Sequence, residues 1–122
     1  MKYGLIRIEQ VYKSFSLGKE EKQVLDNISF QLEKGELVTL LGESGCGKST
    51  LLQIIGGFMK PNHGEVFLNG QIVTRPVRTC VTVFQDENLL PWLTVIDNVM
   101  LGLTSSKAEK RKKAAEFLRF VG

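Results

Sequence analysis

The feature that most constrains this chain is a glycine-rich segment between two apolar runs. The apolar run before it, residues 37–41, predicts a buried strand, and the run after it, residues 51–55, predicts a helix. The segment fits the phosphate-loop pattern G-x-x-x-x-G-K-[ST] at every fixed position. With the residue that follows, it consists of Gly42, Glu43, Ser44, Gly45, Cys46, Gly47, Lys48, Ser49 and Thr50.

The residue types in this segment suit the binding of a nucleoside triphosphate. Glycine permits the positive φ angles that let backbone N–H groups converge on phosphate oxygens, and the helix N-terminus adds its dipole. Lys48 can reach the β- and γ-phosphates, and the Ser49 hydroxyl can ligate Mg²⁺. The alternative is a glycine-rich turn without a ligand, but a lysine beside three glycines has little structural reason to be there. We therefore predict a site for ATP and Mg²⁺.

Length and composition are those of one soluble globular domain. The chain has 122 residues, 43% of them apolar, and a net charge of +3. No apolar run approaches the ~18 residues of a membrane span, and the first residues lack the apolar core of a secretory signal. The two cysteines, Cys46 and Cys80, do not suggest a disulfide framework, because a crosslink at Cys46 would obstruct the loop. We expect a reducing, cytosolic environment.

The remaining pattern predicts a mixture of strands and helices. An antiparallel pair is expected at residues 5–11 and 24–32, with a hairpin loop at residues 18–22 and a bend or bulge at Asp26 and Asn27. Asn69 and Gly70 predict a tight turn between two further strands. The other predicted elements are strands at 64–68, 71–73 and 80–84, and helices at 47–56, at 94–101 capped by Thr94, and at 107–121 capped by Ser105 or Ser106.

These residues together resemble a known family, the nucleotide-binding subunits of ATP-binding-cassette (ABC) transporters. The resemblance covers nearly the whole chain in register. Residues 89–95 and 97–99 are similar to the importer branch for nitrate, sulfonate and taurine. The segments that carry the family resemblance are Gly35-Glu36-Leu37-Val38, the phosphate loop through Leu52, Gly64-Glu65-Val66, Asn69-Gly70 and Val83-Phe84-Gln85.

The resemblance implies roles for residues outside the loop. Phe15 matches the aromatic residue that stacks on adenine, although core packing is the alternative from the residue alone. Gln85 matches the glutamine that contacts Mg²⁺ and the attacking water. The region from Gln85 to Leu93 matches the surface that receives the membrane-spanning permease subunit. Glu43 departs from the family, in which proline is common there, and we expect little effect.

The fold that the resemblance implies is an α/β P-loop NTPase core with an N-terminal antiparallel β-subdomain. Residues 1–122 are expected to form a partial ABC nucleotide-binding domain, truncated before the helical signature subdomain is complete. The signature motif, the Walker B strand, the catalytic glutamate and the switch histidine are not found, and His63 lies in a turn before Gly64. If strands of the other half normally separate residues 37–41 from residues 80–84, apolar surface should be uncovered here.

The family is an ATP hydrolase, but this chain lacks the residues of the catalytic half, so we expect ATP binding without hydrolysis. The alternatives are a non-catalytic fragment that binds nucleotide or the membrane subunit, and a non-functional truncated gene product. Implied partners are the permease, a second copy of the complete domain and, indirectly, a periplasmic or surface substrate-binding protein. The implied location is peripheral, on the cytoplasmic side of the inner membrane.

The basic run at residues 110–113 raises nucleic acid or anionic lipid as other partners. Glu109 and Glu116 dilute the charge, and no aromatic residues alternate with the cations. A solvated helix face is the favoured interpretation, and no nucleic-acid partner is expected.

Overall fold

A computed structural model describes residues 5–85 and 88–122. The chain forms two compact units, Met1–Thr82 and Val83–Gly122. Among the described residues, the first unit contains a four-stranded sheet and the helix after the phosphate loop, and the second contains two helices.

The sheet of the first unit is antiparallel throughout, which confirms the predicted N-terminal β-subdomain. Its strands follow the order β2-β1-β3-β4. The hairpin between β1 and β2 is tighter than predicted, because only Gly18 and Lys19 form the turn. The strand bounds are β1 Ile6–Leu17, β2 Glu20–Leu32, β3 His63–Leu68 and β4 Gln71–Ile72.

Bulges interrupt the pairing of β1 with β2. The register steps from Val11↔Ile28 to Lys13↔Leu25, so β2 carries an extra residue at the Asp26–Asn27 position, where a bend or bulge is predicted. Asn27 has a φ of 49° there, a conformation that asparagine tolerates better than most residues. A second step, from Lys13↔Leu25 to Ser14↔Gln23, leaves Val24 outside the ladder.

Helix α1, Lys48–Ile55, packs its apolar face on the sheet. Leu51 and Ile54 are the buried residues of this helix, spaced as one face of a helix requires. The helix ends at Gly56, in agreement with the prediction. The buried core of the unit consists of Ile8, Val11, Leu25, Leu51, Ile54 and Val66.

Two predicted buried strands are wrong as strands. Residues 37–41 and 80–84 belong to no sheet ladder among the described residues. Leu37 is 93% exposed, Leu41 89% and Val83 92%, so the expected uncovered apolar surface is present. A strand needs a neighbour to pair its backbone groups, and the local apolar pattern cannot supply one.

The second unit consists of α2, Val95–Met100, and α3, Lys107–Val121. Thr94 caps α2 as predicted. Of the two candidate caps for α3, Ser106 forms a capping box with Glu109, and these hydrogen bonds from Ser106 lower the pKa of the Glu109 carboxyl. Within the described residues no helix is both long and apolar enough to cross a membrane.

The predicted apolar face of α3 is only partly correct. Ala114 is buried, and Ala115 and Leu118 are half-buried. Ala108 is exposed, and Val121 is 77% exposed. Helix α3 packs against the short α2, and the buried and half-buried residues of its apolar face lie between Ala114 and Leu118.

Candidate nucleotide site

The phosphate loop adopts the curled backbone that its glycines permit. Gly45 has a φ of 80° and Gly47 a φ of 107°, both in the region that side chains disfavour. A Cβ on Gly47 would lie 2.9 Å from the carbonyl oxygen of Val24, the residue that the β1–β2 ladder omits. A Cβ on Gly45 would meet nothing within 4 Å. The loop is therefore packed on β2 at Gly47 and open at Gly45.

The ammonium group of Lys48 lies inside the curl of the loop. Its Nζ donates hydrogen bonds to the carbonyl oxygens of Gly42 and Glu43, each at 2.7 Å, and lies 3.6 Å from Cys46 Sγ. These contacts hold the positive charge against the backbone of the loop. An ammonium on a four-carbon stem can rotate from these carbonyls to an incoming anion.

A cavity of about 180 Å³ opens on this loop and on the first turn of α1, lined by Val24, Gly45, Gly47, Lys48, Ser49 and Thr50. The first intrahelical hydrogen bond runs from Leu51 N to Gly47 O at 2.9 Å. The N–H groups of the preceding helical residues therefore have no intrahelical acceptor. Unpaired N–H groups, a helix N-terminus and a lysine form a donor set that fits a polyphosphate.

Ser49 is exposed in the first turn of α1, where its hydroxyl is free to ligate a metal ion brought by a nucleotide. Magnesium in such sites takes much of its coordination from phosphate oxygens and water. Among residues 5–85 and 88–122 no group of three or more His, Cys, Asp or Glu side chains is placed to hold a metal.

Phe15 lies on β1, half-buried, and pairs with Lys22 of β2. Val24, which contacts Gly47 of the loop, follows two residues later on β2. At ~3.3 Å per residue, this places the pairing position of Phe15 roughly 7 Å along the strand from the loop contact. The sheet thus brings the predicted base-stacking residue and the phosphate loop to the same part of the unit.

Gln85, the predicted ligand of Mg²⁺ and water, is exposed and belongs to the second unit. Its role at the metal stays a prediction. Within the predicted permease-binding region, Asp86 and Glu87 lie outside the described residues.

The rest of that region is a loop organised by one side chain, Asn98. Its Oδ1 accepts from Leu90 N at 2.8 Å, and its Nδ2 donates to Thr94 O at 3.0 Å and to Leu90 O at 3.2 Å. A third carbonyl, Leu93 O, lies 3.3 Å from the same nitrogen. The loop and α2 line an open, mainly apolar cavity of about 350 Å³. Trp92 of the loop is 75% exposed.

Sequence reasoning missed the organising roles of Lys13, Asn62 and Asn98. Each side chain forms hydrogen bonds to backbone groups that are either far away in the sequence or part of a loop. Lys13 Nζ, for example, donates to Lys60 O at 2.9 Å. For Asn98 a signal existed, because an asparagine in a short helix after a loop is suited to bind backbone groups. For Lys13 no local signal distinguishes it from a solvated lysine.

Comparison with known proteins identifies the family. The family described as ABC transporter matches residues 25–122. The chain belongs to the ABC transporter family. Its fold is correspondingly that of an ABC ATPase, which confirms the predicted class. A solved ATP-binding cassette, described as dimeric, in a post-hydrolysis state and bound to ADP and Pi, superimposes with a TM-score of 0.80 at 34% identity, covering 93% of this chain and 56% of that one.

Relatives of this ABC chain include importer subunits of the predicted branch. It is 42% identical over 116 residues to the aliphatic sulfonates import ATP-binding protein of Bacillus cereus (strain ZK / E33L), covering 95% of this chain and 46% of the relative. It is 43% identical over 117 residues to a taurine import ATP-binding protein of Pseudomonas aeruginosa (strain PAO1), covering 93% of this chain and 44% of the relative. The chain thus spans less than half the length of these relatives.

Proposed function

We propose that this chain binds Mg-ATP through residues 42–50 as part of the ATPase subunit of an importer. The observation that carries the proposal is the position of the Lys48 ammonium, held by two loop carbonyls at 2.7 Å beside the N-terminus of α1. This places a positive charge, held only by loop carbonyls, next to helical N–H groups that have no intrahelical acceptor, and a structural turn has no need of such a charge. The family membership supports the same ligand.

Binding begins with an exchange of partners at Lys48. Its bonds to the carbonyls of Gly42 and Glu43 are replaced by bonds to β- and γ-phosphate oxygens, which accept more strongly because they are charged. Backbone N–H groups of the loop and of the first helical turn bind the remaining oxygens. Ser49 would hold Mg²⁺, which would neutralise phosphate charge. Phe15 would stack on the adenine, and in the complete domain Gln85 would contribute to the metal and the attacking water, as the family resemblance implies.

We propose that the 122-residue chain alone does not hydrolyse ATP. Lys48 is proposed to stabilise the charge of the phosphates and Gln85 to orient the attacking water. No residue within the described part has been identified as the base that activates this water. In the complete domain, two copies are proposed to associate, and the solved cassette that resembles this chain is described as dimeric. A non-catalytic binding fragment and a non-functional truncated product are the alternatives.

The transport role is proposed from the relatives. Their names specify import of aliphatic sulfonates and of taurine, so we propose a small anion such as nitrate, a sulfonate or taurine as the cargo. Other subunits would select it, including a periplasmic or surface substrate-binding protein. The subunit would lie on the cytoplasmic face of the inner membrane.

The exposed loop ending at Leu93, with its cavity and Trp92, supports this segment as the permease-docking surface. An exposed aromatic residue beside an apolar cavity is typical of an interface anchor. Trp92 is the single tryptophan of the chain, so docking should shift its emission to shorter wavelength. Unchanged emission in a complex with the permease would contradict this surface.

Calorimetric titration with Mg-ATP tests the nucleotide site. We expect saturable binding that Lys48→Ala weakens about ten-fold or more, because bonds from an ammonium to phosphate oxygens are lost. Lys34→Ala, which removes an exposed lysine in the turn after β2, is the matched control and should bind normally. Equal affinity of Lys48→Ala and the unsubstituted chain would refute the site, and turnover that depends on Lys48 would refute the absence of hydrolysis.

A further inference from the structure

We propose that Lys13 is a positioning residue that fixes the ring of Phe15 for stacking on the nucleotide base. The inference rests on the proposed ATP site and adds a residue to it. Lys13 Nζ lies 5.3 Å from the centroid of the Phe15 ring, within the range of a cation–π interaction. A flexible lysine usually ranges through solvent, so its location over one ring needs a cause.

The cause is a second contact of the same ammonium group. Nζ donates to Lys60 O at 2.9 Å, in the segment that follows α1. This tether limits the rotation of the lysine stem and holds the charge beside the ring. The contact joins residues 47 positions apart, so it forms only when β1 and the segment after α1 are in place.

The segment is itself fastened to β1 around Lys13. Asn62 N donates to Tyr12 O at 2.9 Å, and Ser14 N donates to the side-chain oxygen of Asn62 at 2.7 Å. Three hydrogen bonds thus tie the residues around position 60 to three consecutive residues of β1. Since α1 begins at the phosphate loop, this arrangement links the base-stacking strand to the phosphate-binding helix.

A cation on one side of an aromatic ring leaves the opposite face for a base. The half-buried ring of Phe15 would then be enclosed between the Lys13 ammonium and the adenine. Stacking of a base on an aromatic side chain depends on the orientation of the ring, which Lys13 restricts. Lys13 acts through Phe15, so its effect should concern the base and leave the phosphates unaffected.

The test compares ATP with inorganic tripolyphosphate, each as its Mg²⁺ complex, on the full 122-residue chain. Lys13→Met keeps an unbranched side chain, one atom shorter, and removes the charge and the donor. We expect it to weaken ATP binding about two- to five-fold, the range of an exposed cation–π contact, and to leave tripolyphosphate binding unchanged. Lys13→Arg, which keeps a cation and donors, should restore ATP affinity.

The control is Lys19→Met, which removes a lysine charge in the hairpin turn, and it should bind both ligands normally.

A spectroscopic measurement is independent of affinity. When the phenylalanine rings of the chain are isotopically labelled, ATP should shift the Phe15 resonances less in Lys13→Met than in the unsubstituted chain. Equal ATP affinity in Lys13→Met and in the unsubstituted chain would overturn the role of Lys13. So would an equal loss for ATP and tripolyphosphate, which would indicate a phosphate contact or a folding defect. Failure of the unsubstituted chain to bind either ligand would instead overturn the ATP site, and this inference with it.

Discussion

Two glycines with the same backbone angle offer a controlled test of how β1 and β3 pack. Gly64 has a φ of 81° and Gly70 a φ of 80°. A Cβ on Gly64 would lie 2.1 Å from Gln10 O and 2.4 Å from Glu9 O, whereas a Cβ on Gly70 would meet nothing within 4 Å. Gly64→Ala and Gly70→Ala therefore share the conformational strain and differ in the collision with β1.

The magnitude follows from these distances. An alanine with φ near 80° costs about 1–2 kcal/mol, and this cost is common to both variants. At Gly64 the methyl group must also move more than about 1 Å from a backbone carbonyl to reach ordinary contact near 3.5 Å. Separating the strands in this way costs about 1–3 kcal/mol in strain and weakens a neighbouring ladder bond worth about 1 kcal/mol. We expect Gly64→Ala to be less stable than Gly70→Ala by about 2–4 kcal/mol.

Urea denaturation followed by far-ultraviolet circular dichroism measures this difference. Gly70→Ala should unfold at a lower urea concentration than the unsubstituted chain. Gly64→Ala should unfold at a much lower urea concentration still, or be unfolded without urea. Both substitutions replace glycine by alanine, so the change of residue type does not contribute to the difference in stability between the two variants. Coincident unfolding curves for the two variants would refute the close approach of β3 to the backbone of β1 at Gln10.

Two further predictions concern the second unit. Asn98→Asp keeps the acceptor for Leu90 N but removes the amide donor, so we expect amide hydrogen exchange in residues 88–94 to accelerate markedly, and unchanged exchange would contradict the organising role of Asn98. The Ser106 hydrogen bonds hold the folded-state pKa of Glu109 below its unfolded value, so their stabilisation is present above the ordinary carboxyl range and is lost as pH falls through the folded pKa. Helical circular dichroism should therefore decrease on acidification more in the unsubstituted chain than in Glu109→Gln, and identical pH profiles would refute this linkage.

Local signals predicted much of the fold because they act within a few residues. Asn69 and Gly70 form the predicted tight turn, with φ angles of 51° and 80°. Thr94 and Ser106 cap their helices through hydrogen bonds to backbone groups three residues away. Such contacts are encoded in adjacent residue types, so pattern reasoning locates them.

Signals that depend on a distant partner misled the same reasoning. The apolar pattern of residues 37–41 predicts a buried strand, yet Leu37 and Leu41 are exposed and the segment joins no ladder in the described part of the chain. Apolar side chains show a tendency to be buried, but burial and pairing require another segment to supply the surface and the backbone partners.

For the candidate site, the sequence by itself determined the chemistry: the glycines of the phosphate loop, Lys48 at its mouth and a helix immediately after it. These are properties of consecutive residues, because curling of the backbone and the helix dipole act locally. Only the tertiary structure decided what surrounds them. In the folded chain Gly47 packs against Val24, and Gly64 packs against Gln10. The Lys13 ammonium contacts both the Phe15 ring and Lys60 O. Each of these contacts joins residues far apart in the chain, so it exists only after the sheet and α1 have packed together.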